Sequence, residues 1–140
     1  MSATKINTVK KLLYLLPLLI AVACNKSATY YNTGLAGKWQ LTEYFISPGD
    51  AGAWHQATGI ETITFNSDKS FESSDGAYNN AIGFTIIDSA KLAFILPTQM
   101  PSTMECYYTI QDNGATLILS PVGCIEGCSN KYKAVKNGSN

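Results

Sequence analysis

The chain has 140 residues, with ten lysines, no arginine and ten acidic side chains, for a formal net charge of zero. No stretch groups its cations, which excludes a nucleic-acid surface, because phosphates are neutralised by clustered Lys and Arg.

Lys5, Lys10 and Lys11 precede an almost unbroken apolar run, Leu12 to Ile20, and Ala21-Val22-Ala23 then leads into Cys24. That order describes a secretory signal. The run is too short for a transmembrane helix, which needs about 20 apolar residues. A cysteine at the cut resembles the lipobox of bacterial lipoproteins. The resemblance implies removal of residues 1–23 and acylation of both the Cys24 thiol and the new N-terminus. Each buried methylene contributes about 0.8 kcal/mol, so several chains make the attachment effectively permanent. By the same resemblance, Asn25 rather than Asp after the cysteine favours the outer membrane. The lack of an acidic run after Cys24 favours its periplasmic face over the cell surface. The remaining 117 residues keep seven lysines against all ten acids, a net charge of −3. Charge this mild and this well spread along the chain reads as solubility rather than as a steering field.

Residues 24–34 are small and polar after the cysteine, without periodicity, and read as a tether. From Leu35 to the end of the chain, short β-rich runs alternate with turn residues, the all-β pattern. Trp39, Leu41, Glu43 and Phe45 alternate in the first run, and Asp50 to Ala53 follows as a loop. Ile63 and Phe65 mark the second run, Asn66 to Lys69 turns, and Phe71 opens a short third strand. Ser73 to Asn80 is rich in turn residues. Ile82, Phe84 and Ile86 share one face, Asp88-Ser89 turns, and Leu92, Phe94 and Leu96 share the next. Pro97 to Ser102 is a loop. Met104, Cys106, Tyr108 and Ile110 then alternate up to Asp112-Asn113-Gly114, where Asn and Gly tolerate the positive φ of a hairpin turn. Leu117 and Leu119 return antiparallel, and Tyr132 and Ala134 lie on a last strand with Lys131 and Lys133 outward.

An exported protein meets oxidising conditions, and three thiols besides Cys24 allow one bridge with one left over. The tight Cys124–Cys128 spacing favours that pair, with Cys106 free and buried. A bridge from Cys106 to either of the other two is the alternative. Zinc wants four Cys or His ligands and finds only His55 beside these thiols, so no metal site is expected.

Eight two-faced strands with short connections predict an eight-stranded up-and-down barrel, with a sandwich as the alternative. Leu35-Ala36-Gly37-Lys38-Trp39-Gln40-Leu41 resembles the Gly-x-Trp entry strand of lipocalins. It is closer still to the small lipocalin-like lipoproteins of Bacteroidota. Thr62 to Asn66 with Phe71 is similar to that group's second hairpin, and Cys124 to Cys128 with Lys131-Tyr132 to its closing segment. The resemblance implies a meander barrel with Trp39 plugging one end. The Arg that often packs on the Trp, and the C-terminal helix, are both missing.

Catalysis is not expected. His55 is the only histidine and has no nucleophile or orienting acid nearby in sequence, and no Gly-rich phosphate loop or other cofactor motif is present. Alternation from Trp39 and Leu41 places Glu43 inside the barrel as a polar handle for a ligand, whereas a bulge after Leu41 would turn it outward. Trp39, Phe45, Phe65, Phe84, Phe94 and Tyr108 are the other candidate ligand contacts. The same aromatics, with Phe71 and Tyr132, can equally fill a small core. Two functions follow. One is a membrane-anchored barrel that holds a small hydrophobic or amphipathic ligand. The other is a filled barrel that binds an envelope protein through the loops Ser47–Ala57, Ser73–Asn80 and Pro97–Met104.

Overall fold

A computed structural model describes residues 34–47, 49 and 51–136. The leader, Cys24 and most of the tether therefore lie outside the described residues. The elements are β1 (Gly37–Ile46), β2 (Ala53–Gln56), β3 (Thr62–Phe65), β4 (Phe71–Ser73), β5 (Gly83–Ile86), β6 (Lys91–Ile95), β7 (Thr103–Gln111), β8 (Thr116–Pro121) and β9 (Ser129–Ala134). They form one antiparallel sheet in the order β4-β3-β1-β9-β8-β7-β6-β5, with β2 also paired to β1. The sheet curls until its two outer strands meet. Ser70 bridges Gly83, and Phe71 N–H to the Ile82 carbonyl and Phe84 N–H to the Lys69 carbonyl, each 3.0 Å, stitch the seam. The result is the expected up-and-down barrel of eight staves.

The extra strand is β2, which the sequence pattern leaves inside a loop. β1 is ten residues long and offers its far half as an edge: Glu43 to Ile46 pair with Gln56 to Ala53, while Gly37 to Gln40 pair with Phe65 to Thr62. β2 and β3 thus make one interrupted stave, joined by Ala57 N–H to the Thr42 carbonyl and Leu41 N–H to the Glu61 carbonyl. The return depends on Gly52, at φ +62°, where an added Cβ would lie 2.5 Å from the Phe45 ring. A side chain there would break the hairpin.

The predicted β7–β8 turn is present, with Asp112, Asn113 and Gly114 all at positive φ. Inward alternation holds along most strands. Trp39, Leu41, Ile63, Phe65, Leu92, Phe94, Cys106, Leu117, Leu119 and Tyr132 are buried, and Lys131 and Lys133 point outward. Phe84 is buried, but Ile82 precedes β5 and is exposed, and Ile86 reaches the rim. Phe65 anchors a ring cluster, with centroids 4.9 Å from Phe71, 4.9 Å from Phe84 and 6.0 Å from Phe94. Each such buried side chain stabilises the fold by about 1.5–3 kcal/mol relative to exposure. The Cys124–Cys128 disulfide is formed and Cys106 is a free, buried thiol.

The meander sorts the connections onto two ends. The entry end carries Gly34-Leu35, the β3–β4, β5–β6 and β7–β8 turns and the exit after β9. The loop end carries residues 47–61, 74–81, 97–102 and 122–128.

Candidate functional site at the loop end

The segment 74–81 sends Asp75, Tyr78 and Ala81 inward while its other residues stay exposed. Tyr78 and Ala81 turn into the barrel, and the Tyr78 ring packs 4.9 Å from Phe94. The segment is shaped by local bonds. Asp75 N–H donates to Ser73 Oγ, Ala77 N–H to Asp75 Oδ1, and Tyr78 and Ala81 N–H groups donate to the carbonyls three residues back. Asp75 itself is only 3% exposed. Its other oxygen, Oδ2, accepts the Tyr132 hydroxyl at 2.5 Å and the Asn130 amide at 3.1 Å. The Tyr78 hydroxyl lies beside the Cys106 thiol in the interior. A buried carboxylate is tolerated only when such donors replace water.

Burial dominates the acid–base behaviour of this cluster. It raises Tyr132 and Tyr78 well above the usual phenol range, with the neighbouring Asp75 charge pushing the same way, and lifts the Cys106 thiol to about 12. All three stay protonated near neutrality, so Cys106 is a packing group and not a nucleophile.

Trp39 is 2% exposed and donates its indole N–H to the Leu35 carbonyl at 3.0 Å, at the entry end. Phe65, Phe84 and Phe94 are buried against one another. Tyr108 is half-buried near the entry end, its hydroxyl donating to the Asp88 carbonyl at 3.2 Å. These five point inward as expected from alternation. Trp39, Phe65, Phe84 and Phe94 fill the interior.

Glu43 and Phe45 do not point inward. The β1–β9 register slips between Leu41 and Glu43: Leu41 faces Tyr132, yet Glu43 faces Lys131. Thr42 is the extra residue of a bulge, and its hydroxyl donates to the Lys131 carbonyl at 3.1 Å. The inserted residue moves Glu43 into the outward position. There its carboxylate takes a hydrogen bond from the Lys131 ammonium and another, at 2.7 Å, from the Gln56 amide. Those bonds, the Lys131 one foremost, hold Glu43 below the usual carboxylate value. It faces the outer wall and not the barrel interior. Phe45 follows it outward, meeting Trp54 edge-on at 5.4 Å, and Lys131 lies 4.0 Å above the Trp54 ring. His55 stacks on Tyr44 at 5.6 Å on exposed β2.

Several apolar side chains stand out at the loop end among polar ones. Met100 and Ile125 are almost wholly exposed, Ile60 is 82% exposed, and Trp54, Ile46 and Val122 are partly so. All lie on or beside the three loops singled out in the sequence, joined by 122–128. A shallow depression of about 330 Å³ opens between Leu41, Tyr44, Glu61, Asp75 and Asn130. Residues missed by the sequence reading are Thr42, Asp75, Tyr78 and Asn130. Ser73-Ser74-Asp75-Gly76 marks a turn, but nothing local marks one oxygen of Asp75 as buried. No family model, no curated protein and no solved structure matches this chain.

Proposed function

We propose that this chain is a lipocalin-like lipoprotein of a bacterial envelope, anchored through acylated Cys24, that acts by binding rather than catalysis. Its loop end binds another envelope protein. The observation that carries this reading is Tyr78, which comes down from the 74–81 segment to pack on Phe94 where a guest molecule would otherwise sit. An interior occupied by Tyr78, Phe94 and their neighbours leaves recognition to the outside. Exposed Met100, Ile125, Ile60 and Trp54 form the kind of apolar tips that become buried in a protein interface. Photo-crosslinking residues at Met100 and Ile125 in producing cells test it. One defined adduct is expected, absent when the crosslinker replaces Thr109 on the outer wall and lost in Ile125→Asp at unchanged thermal stability. No adduct at either tip, or the same adduct at Thr109, overturns it. Retention of Cys24→Ser in the membrane fraction would overturn the anchor.

A second reading, a small amphipathic ligand, is favoured by the depression beside Tyr44 and Asp75, where the inner-wall residue Leu41 reaches open space at the loop end. Saturable quenching of tryptophan fluorescence by a fatty acid, abolished in Tyr44→Ala, would establish it. Absence of saturation would remove it.

A further inference from the structure

Along the chain the charges are well spread, yet folding sorts them. The connections of the loop end, residues 47–61, 74–81, 97–102 and 122–128, contain no lysine. At the entry end, Lys38 lies at the start of β1, Lys69 sits in the β3–β4 turn, Lys91 follows the β5–β6 turn, Lys133 lies near the end of β9 and Lys136 follows that strand. Only Lys131 among the described lysines lies away from that end. The acids in its turns are Asp68, Asp88 and Asp112, each hydrogen-bonded within its own turn, while Glu72 lies on β4 just past the β3–β4 turn and Glu105 on β7 pairs with Lys91 at 3.4 Å. Asp68 accepts from the Ser70 N–H and hydroxyl, and Asp88 from the Ala90 N–H at 2.7 Å. Asp112 accepts from Thr116, with Lys133 at 3.3 Å. Ile86, Ile87 and Val135 are exposed among the lysines. Lysines around a few exposed aliphatic side chains suit the headgroup region of a bilayer.

From this sorting we infer that the entry end of the barrel docks on an anionic phospholipid surface, holding the loop end away from the membrane. The inference rests on the lipid anchor proposed above. Nine residues separate Cys24 from Gly34, and nine extended residues reach at most about 32 Å. The chain enters the barrel at the lysine-bearing end, so a lipid on Cys24 brings that end, and not the loop tips, to the headgroups. Anionic lipid then adds attraction to each lysine that comes within a Debye length of the surface, about 10 Å at moderate salt.

The test uses the full chain purified from the membranes of producing cells, with single reporter cysteines Ser89→Cys at the entry end and Met100→Cys at the loop end. Cys106 is buried and Cys124 and Cys128 are bonded, so a fluorophore goes to the reporter alone. The protein is reconstituted in vesicles of phosphatidylcholine, or of an equal mixture with phosphatidylglycerol, each doped with a spin-labelled phospholipid that quenches on contact. Quenching several-fold stronger at Ser89→Cys than at Met100→Cys is expected on the anionic vesicles. High salt, and the pair Lys38→Glu and Lys69→Glu, should remove most of the difference. Equal quenching at both reporters in floated protein, or a difference that salt and the charge reversals leave intact, overturns the docking while leaving the anchor standing. A chain that does not float with vesicles at all removes anchor and docking together.

Discussion

Tyr132 on β9 donates its phenolic hydrogen to the carboxylate of Asp75, 57 residues earlier in the chain, with both groups buried at the barrel's loop end. The bond ties the last strand to the 74–81 segment and so holds Tyr78 in the interior. Asp75→Ala leaves the Tyr132 hydroxyl without its acceptor and the Asn130 amide with only the Tyr132 oxygen, at a cost of about 2–3 kcal/mol. Tyr132→Phe, which keeps the ring and leaves Asp75 two donors, costs about 1–2 kcal/mol. Urea unfolding midpoints check both, with Asp75→Ala the less stable.

Tyr78→Ala empties the centre of the barrel. Removing a buried aromatic ring costs about 3–5 kcal/mol, because the surroundings collapse only in part. An apolar void of this kind stays dry and takes up small apolar molecules. Thermal upshift by benzene in Tyr78→Ala, and none in the parent, is the expected pattern. An upshift of the parent by the same amount would show that the native interior already has room.

Acid weakens the outer wall. Glu43 is held below its ordinary 4.5 chiefly by the Lys131 hydrogen bond, and Asp112 below its ordinary 3.8 by the Thr116 hydroxyl and then Lys133. A carboxylate whose value is lowered by folding stabilises the fold in full above its unfolded value. It loses that contribution as pH falls through the lowered one. Unfolding midpoints should therefore decline from about pH 4.5 downward, and Glu43→Gln should flatten the decline. Asp112 is exposed and Glu43 half-buried on the outer wall, so added salt should shrink the effect, most at Asp112.

Cys106 should resist alkylation. Its thiol is buried and raised to about 12, above the ordinary 9.0, so the fold retains a proton that the unfolded chain gives up. That contribution is complete below pH 9 and is lost as pH rises toward 12. Iodoacetamide at pH 8 should label Cys106 only after denaturation, as read by mass spectrometry. Rapid labelling of the native barrel would mean that the interior opens readily.

The Cys124–Cys128 bridge closes a loop of five residues. Chain entropy assigns so short a loop roughly 2 kcal/mol. Paired Cys124→Ser and Cys128→Ser substitutions should lower the unfolding midpoint accordingly and leave the far-ultraviolet spectrum unchanged.

Local chemistry made much of this barrel legible. Period-two alternation named the inward side chains of β3, β6, β7, β8 and β9, and Asp112-Asn113-Gly114 named its turn, because each depends on residues close in sequence. The spacing of Cys124 and Cys128 favoured the pair that forms. For Glu43 the structure takes the bulge after Leu41 rather than unbroken alternation, for a physical reason. One inserted residue, Thr42, slips the register, and a slip of one exchanges the two faces for everything that follows. No feature of Trp39 to Phe45 announces it; the bulge is imposed by pairing with β9, some 90 residues away. β2 was hidden in the same way, since a short exposed strand forms only where a neighbour's edge is offered.

The amino-acid pattern by itself determined the all-β class, the eight staves, most of the inner face and the residues of the tight turns, because backbone preference and side-chain alternation act over a few residues. Tertiary structure alone decided that Tyr78 fills the interior, that Asp75 is buried under Tyr132 and Asn130, and that the lysines gather at one end. Those outcomes depend on which distant segments the closing sheet brings into contact, and closure is a property of the whole barrel.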